Sequence, residues 1–149
     1  MLNVRCQAHI KIDDKGRVQL PAPLRRALEV HRKRDLVLAY HQGAVWGYMV
    51  DEWEQSVEEP AKLASEFQQE SLDFAHAFFA TAQDVELDRQ GRVRIPPMLR
   101  ELAGLGREVV VHSVLRRIEF WDKAAWDARF KEALARVDER RARPVGEGE

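Results

Sequence analysis

Two periods alternate along the chain. From His9 to Leu20, the apolar residues Ile10, Ile12, Val18 and Leu20 alternate with His9, Lys11, Asp13, Arg17 and Gln19, the period of two expected of half-buried strands. Between these strands Gly16 supplies the positive φ of a tight connection, and Asp13 can hydrogen-bond the amides of the turn. Pro21 then ends the second strand and opens a helix at its first position, with Leu24, Ala27 and Leu28 as the buried face. Leu36 to Tyr40 and Val45 to Val50 predict a second pair of strands. The same succession returns around Gly91, Pro96, Val109 to His112 and Ile118 to Trp121, so each half of the chain reads as strand, strand, short helix, strand, strand.

The recurrence is a sequence repeat. IDDKGRVQLPAPLRRAL (Ile12 to Leu28) aligns with LDRQGRVRIPPMLRELA (Leu87 to Ala103), matching Asp13 with Asp88, Gly16 with Gly91, Arg17 with Arg92, Pro21 with Pro96 and Arg25 with Arg100. Further on, Arg34 aligns with Arg107 and Trp53 with Trp126, so the first copy carries two extra residues around His31 to Lys33. Four short strands cannot cover both faces of a sheet, and two copies are therefore expected to interlock around one core. The fold class is α+β, mainly β with helices, with the repeats forming a pseudo-twofold barrel in one fused domain. Between the copies, Trp53, Val57, Leu63, Phe67, Leu72, Phe74 and Phe78 lie among Glu and Gln, which predicts one or two amphipathic helices broken at Pro60. Lys123 to Arg141 predicts another, with Trp126, Phe130, Leu134 and Val137 on one face, followed by a frayed tail from Arg143. The aromatics of these helices are expected to cap their own barrel, the alternative being that apolar positions left over on the middle and C-terminal helices form a heterologous interface between subunits. The expected boundaries are 5–53 and 81–126 for the repeats, 54–80 for a helical connector and 127–149 for the C-terminal helix and tail.

Composition narrows the function. A chain of 149 residues with 45% hydrophobic and 33% charged residues suits a globular protein, and it has no apolar run of bilayer length. No secretory h-region follows Met1, and the single Cys6 excludes a disulfide framework and multi-cysteine zinc motifs, so a reducing cytoplasmic setting is expected. The five histidines are scattered, the serines lack a triad context and there is no phosphate-cradling glycine loop. The expectation is no enzyme, no metal, no cofactor and no small-molecule substrate. The net charge of -1 hides segregation: residues 1–50 hold nine basic and four acidic side chains, whereas 51–80 hold one basic and eight acidic. A local basic face therefore remains open.

The duplicated hairpins, DDKGRVQLP and DRQGRVRIPPMLREL, preceded in the second copy by FFATAQDVELDRQGR and followed by RRIEFWDKAAW, resemble the MraZ family of bacterial regulators, which contain two tandem SpoVT-AbrB domains. The resemblance spans nearly the whole chain, although AYHQGAVWGYMVDEW in the first copy is less typical. It implies a swapped-hairpin AbrB barrel built as an intramolecular pseudo-dimer and a ring-shaped homo-oligomer. It also implies binding to repeated boxes of double-stranded DNA upstream of the protein's own division and cell-wall gene cluster, and hence association with the nucleoid. The residues allow such a role. Asp13 and Arg17, like Asp88 and Arg92, sit four apart across a glycine turn, so the carboxylate can fix the turn amides or the guanidinium beside it. A preset arginine can meet a guanine edge in bidentate fashion or clamp a phosphate. Lys15, Arg89 and Arg94 suit phosphate contacts, and Lys11, Arg25 and Arg26 add positive charge around the first turn. The window 9–26 is net +3 while its counterpart 84–101 is neutral, which predicts that the first repeat dominates phosphate attraction. The alternative for the Asp–Arg pairs is a surface ion pair of little energetic value. At the level of function the alternatives are an AbrB-like antitoxin, disfavoured by the seven-residue tail, and a ring-forming scaffold for protein partners.

Overall fold

A computed structural model describes residue 2 and residues 4–63 and 67–142; the expected tail from Arg143 lies outside the described residues. In chain order the elements are β1 (Gln7–Lys11), β2 (Arg17–Gln19), α1 (Ala22–Val30), β3 (Asp35–His41) and β4 (Ala44–Met49), then α2 (Val50–Trp53), a π-helical stretch (Glu54–Glu58), α3 (Glu59–Ala61) and α4 (Gln69–Thr81). The second repeat gives β5 (Gln83–Glu86), β6 (Arg92–Arg94), α5 (Pro97–Leu102), β7 (Glu108–Val114), β8 (Arg117–Asp122) and α6 (Lys123–Ala142).

The strands pair across the repeats. One six-stranded antiparallel sheet runs β1-β7-β8-β4-β3-β5, and β2 pairs with β6 in a separate two-stranded ribbon. Each repeat thus lends its first strand to the other repeat's third, β1 to β7 and β5 to β3, with matching contacts Ile10↔Val109 and Val85↔Leu36. The expected swapped pseudo-dimer is present. Its pseudo-twofold axis passes where equivalent residues face each other, at Val18↔Val93 in the ribbon and Trp46↔Glu119 in the sheet.

The core lies between the sheet and the ribbon. Val18, Leu20, Leu24 and Leu28 and their counterparts Val93, Ile95 and Leu99 pack against Leu36, Leu38, Val45, Val109, Val111, Ile118 and Phe120. Full burial of such side chains contributes roughly 1.5–3 kcal/mol apiece. On the outer face of the sheet a second cluster joins Val37, Ala39 and Tyr48 to Trp53, Val57 and Phe78.

Several local expectations change. The strands around Gly16 do not pair with each other: the chain makes a turn there, and the two arms then leave for β7 and β6. Pro21 and Pro96 are N-caps, with Pro23 and Pro97 inside the first turn, so the helices start one residue later than the first-position rule suggests. Pro60 does not break its helix. The π-helical stretch directly before it widens the turn, and the helical run continues to Ala61 before ending ahead of α4. Leu63 and Phe67 are 90% and 96% exposed, outside the buried face on which periodicity puts them. On α6, none of Phe130, Leu134 and Val137 is buried.

Candidate nucleic-acid interface

Each glycine turn is built by its aspartate. In the first, the Gly16 N–H donates to Asp13 O at 3.0 Å and the Asp13 N–H to Arg17 O at 3.0 Å, closing a three-residue loop with glycine at φ 79°. Asp13 Oδ1 accepts the N–H groups of Lys15 (2.9 Å) and Arg17 (2.8 Å), and Oδ2 accepts Arg17 Nε at 2.7 Å. The second turn repeats this: Asp88 Oδ1 accepts Gln90 N–H (2.9 Å) and Arg92 N–H (2.9 Å), Oδ2 accepts Arg92 Nε at 2.7 Å, and Gly91 has φ 74°. The carboxylate therefore fixes both the turn amides and the guanidinium. In each pair the backbone N–H of the arginine, helped by its side chain and by the second turn amide, outweighs partial burial and holds the carboxyl below its ordinary range. With Nε committed, an outside acceptor meets the Nη1/Nη2 edge.

Cross-repeat pairing brings the two turns' arginines together. In the ribbon Arg17 lies opposite Arg94 and Gln19 opposite Arg92, all four on the face away from the fully buried Val18 and Val93. Arg94 is exposed, and Arg17 and Arg92 keep 29% and 27% of their side-chain surface. Lys15 and Arg89 are exposed at the turn tips, and Lys11 is exposed at the end of β1 opposite Glu108. Gln19 belongs to this group although sequence reasoning passed over it. Its amide donates to Gln90 O at 2.8 Å, tying β2 to the second turn. Its equivalence to Arg94 in the repeat was the signal that could have found it.

Two of the basic residues lie elsewhere. Arg25 donates to Leu20 O, and its side chain fills the space in front of Gly91; Arg100 does the same for Ile95 O (3.0 Å) and Gly16. Each helix thus buttresses the other repeat's turn. Arg26 is exposed on α1, beside a shallow cleft with Leu2, Val4 and Pro23.

The swap also redistributes charge. A cleft of about 340 Å³ beside the second turn is lined by Arg25, Glu29, Lys33 and Arg34 of the first repeat together with Arg89 and Asp88 of the second. The neutral sequence window 84–101 therefore has basic neighbours in space, contributed by the first repeat. Sequence windows assign charge to a turn by chain proximity, whereas α1 packs at the opposite turn.

The glycines are required twice over. A Cβ on Gly91 would stand 2.3 Å from Arg25 Cδ, at a φ that costs L-residues roughly 1–2 kcal/mol. Gly91→Ala is expected to lower unfolding stability by about 2 kcal/mol. Urea titration should show the midpoint moving at constant slope; an unchanged midpoint would mean that the turn relaxes freely.

Among the described residues no cluster of metal-ligating side chains occurs, and no helix is long and apolar enough to cross a membrane. A family model described as "MraZ protein, putative antitoxin-like" matches residues 7–74 and 78–145, one match for each repeat. A relative from Syntrophobacter fumaroxidans (strain DSM 10017 / MPOB), named "Transcriptional regulator MraZ", is 37% identical over 127 residues, covering 85% of this chain and 84% of the relative.

Proposed function

The chain belongs to the MraZ family, and from that premise we propose that it is a sequence-specific DNA-binding transcriptional regulator acting as a homo-oligomeric ring on repeated boxes upstream of its own gene cluster. The observation that carries the reading is the Arg17↔Arg94 pair, with Arg92 on the same face of an exposed ribbon. Like charges directly opposite across strands are destabilising, and a surface that holds Arg17 and Arg92 in fixed poses beside Arg94 is suited to an anion held outside it. Arg17 and Arg92, oriented by Asp13 and Asp88, read base edges. Lys15, Arg89, Arg94 and Lys11 contact phosphate, Arg25 positions the second turn, and Arg26 adds to the general field. One subunit offers few contacts, so affinity comes from several subunits engaging several boxes on one duplex. This role places the protein with the nucleoid and asks for no catalysis or cofactor. Toxin neutralisation, suggested by the words "putative antitoxin-like" in the family description, would leave the Arg17/Arg92 pair without a task.

Binding measured by fluorescence anisotropy on the duplex upstream of its own gene should exceed binding to a shuffled duplex by at least about 10³-fold at equal salt; equal affinities would overturn the reading. With basic neighbours at both turns, Lys15→Ala and Arg89→Ala should each reduce the salt slope by about one per engaged subunit. A fall for Lys15→Ala alone would restore the first turn's dominance.

A further inference from the structure

Helices α1 and α5 end on the same turn with different residues in it. After α5 the Leu105 N–H donates to Arg100 O at 2.9 Å, and the residue before it is Gly104 at φ 61°. After α1 the Lys33 N–H donates to Leu28 O at 2.9 Å, and the residue before it is Arg32 at φ 54°. Glycine is the relaxed choice at such a helix end, and any side chain there is strained. The first repeat thus keeps a cation where the backbone favours glycine, within the run His31 to Arg34, and places Lys33 where the second repeat has Leu105. The glycine turns differ as well: Arg89 stands where the first turn has Asp14.

These exchanges meet in one place, the cleft beside the second turn, where Arg25, Lys33 and Arg34 face Arg89 and the acids are Glu29 and Asp88. Asp88 is already committed, its two oxygens accepting the turn amides and Arg92 Nε. Arg25 and Arg34 donate to the carbonyls of Leu20 and Leu87, which fixes the side chains without neutralising them. Among the described residues Lys33 and Arg89 form no ion pair. Four cations therefore line one concavity against a single uncommitted carboxylate, the exposed Glu29. Like charges gathered around one small space repel each other unless an anion sits between them. A phosphate suits them better than a carboxylate, because its several oxygens can serve an ammonium and more than one guanidinium at once. At the pseudo-twofold mate of the cleft, Leu105 and Asp14 replace Lys33 and Arg89, so this surplus of positive charge belongs to one end of the subunit.

We propose that this cleft is a phosphate site, in which Lys33 and Arg89 hold one phosphate group that lies outside the ribbon, against the braced guanidiniums of Arg25 and Arg34. The phosphate belongs to the backbone of the bound duplex, beside the bases that Arg92 meets, or to a free phosphorylated small molecule. The first source rests on the DNA-binding reading above; the second does not.

The test uses the full chain in phosphate-free buffer, with circular dichroism to verify folding. On the duplex upstream of its own gene, Lys33→Ala should lower the slope of log affinity against log salt by about one per engaged subunit. It should weaken the upstream and the shuffled duplex by the same factor, because a phosphate contact reads no sequence. Arg89→Ala, on a different element, should do the same, and the double variant should lose no more than either single one, since all three lose one shared contact. Replacing one backbone phosphate at a time by a neutral methylphosphonate should reveal a position that weakens wild type and leaves Lys33→Ala unaffected. In a second arm without DNA, thermal unfolding is followed as inorganic phosphate is added at constant ionic strength. Lys33-dependent effects on DNA without a thermal response assign the phosphate to the duplex. A rise in the wild-type melting temperature that Lys33→Ala abolishes shows that the cleft takes free phosphate. Additive losses in the double variant with no thermal response, or a Lys33→Ala variant that matches wild type in both arms, would overturn the site. A wild type that binds upstream and shuffled duplexes equally would remove the sequence-specific reading instead, and the Lys33-dependent salt slope and thermal response would still decide the site.

Discussion

Arg17→Ala with Arg92→Ala is expected to weaken specific DNA binding by about 100-fold or more, with little change in folding stability. Each guanidinium is held by its aspartate at 2.7 Å and, by pairing in the ribbon, both stand on one outward face. A bidentate contact to a base is worth roughly 1–3 kcal/mol, so losing two costs about 2–6 kcal/mol per engaged subunit. In the folded protein the lost ion pairs are partly exposed and worth at most about 1 kcal/mol each. Arg17→Lys with Arg92→Lys separates charge from geometry: lysine keeps phosphate attraction but not the fork. The lysine variant should retain the salt slope and lose preference for the upstream duplex over a shuffled one. Wild-type affinity in the alanine variant, at any salt, would take these arginines out of recognition.

This effect rests on a part of the molecule that was largely legible. Asp13, Gly16 and Arg17 form their turn within five residues, and the repeat of that unit at Asp88, Gly91 and Arg92 is visible by alignment. Local hydrogen bonds are dictated by local sequence, and the period of two put Val18 and Val93 inside and the arginines outside. Pairing partners were less accessible. Nothing in β1 specifies β7 over its own neighbour β2; the choice depends on burying Ile10 against a core that both repeats share. For the same reason Arg25 reads as a helix-surface cation and is in fact a brace under Gly91.

Composition misled where burial depends on a partner element. The stripe Trp126, Phe130, Leu134, Val137 has the spacing of a core face, yet only its first turn meets the sheet, because among the described residues no second helix covers the rest. At Pro60 the rule that proline ends a helix was overridden by the π-helical stretch that precedes it. Glu119 was invisible altogether, since it stands between the apolar Ile118 and Phe120 at the position where the first repeat has Trp46.

Glu119 is where a single substitution is expected to cost the most stability. It is 5% exposed at the pseudo-twofold axis, with Oε2 accepting Arg117 Nε at 2.7 Å and Oε1 accepting Trp121 Nε1 at 2.8 Å. His112 Nε2 lies 3.2 Å from Oε1 and faces the same carboxylate. Arg117 also covers the Trp46 ring, 3.6 Å from its centroid, and this cation–π contact keeps the guanidinium in place. Burial alone would raise the carboxyl; His112 first, then Trp121 and Arg117, bring it from 4.5 down to about 2. A carboxylate depressed in the folded state contributes stability that is fully present above its unfolded value and is lost as pH falls toward the folded one. The shift corresponds to about 3 kcal/mol, present at pH 5 and above and reduced to about 1.5 kcal/mol at pH 3. Glu119→Gln, which preserves shape but not charge, should therefore unfold about 3 kcal/mol more easily than wild type in urea at pH 7. The gap should narrow by half at pH 3, because the wild type loses there what the variant never had. Asp13 and Asp88 titrate in both proteins and cancel from the difference. Two stability curves that stay parallel from pH 7 to pH 3 would show that the ionised Glu119 carboxylate does not contribute to stability at the axis.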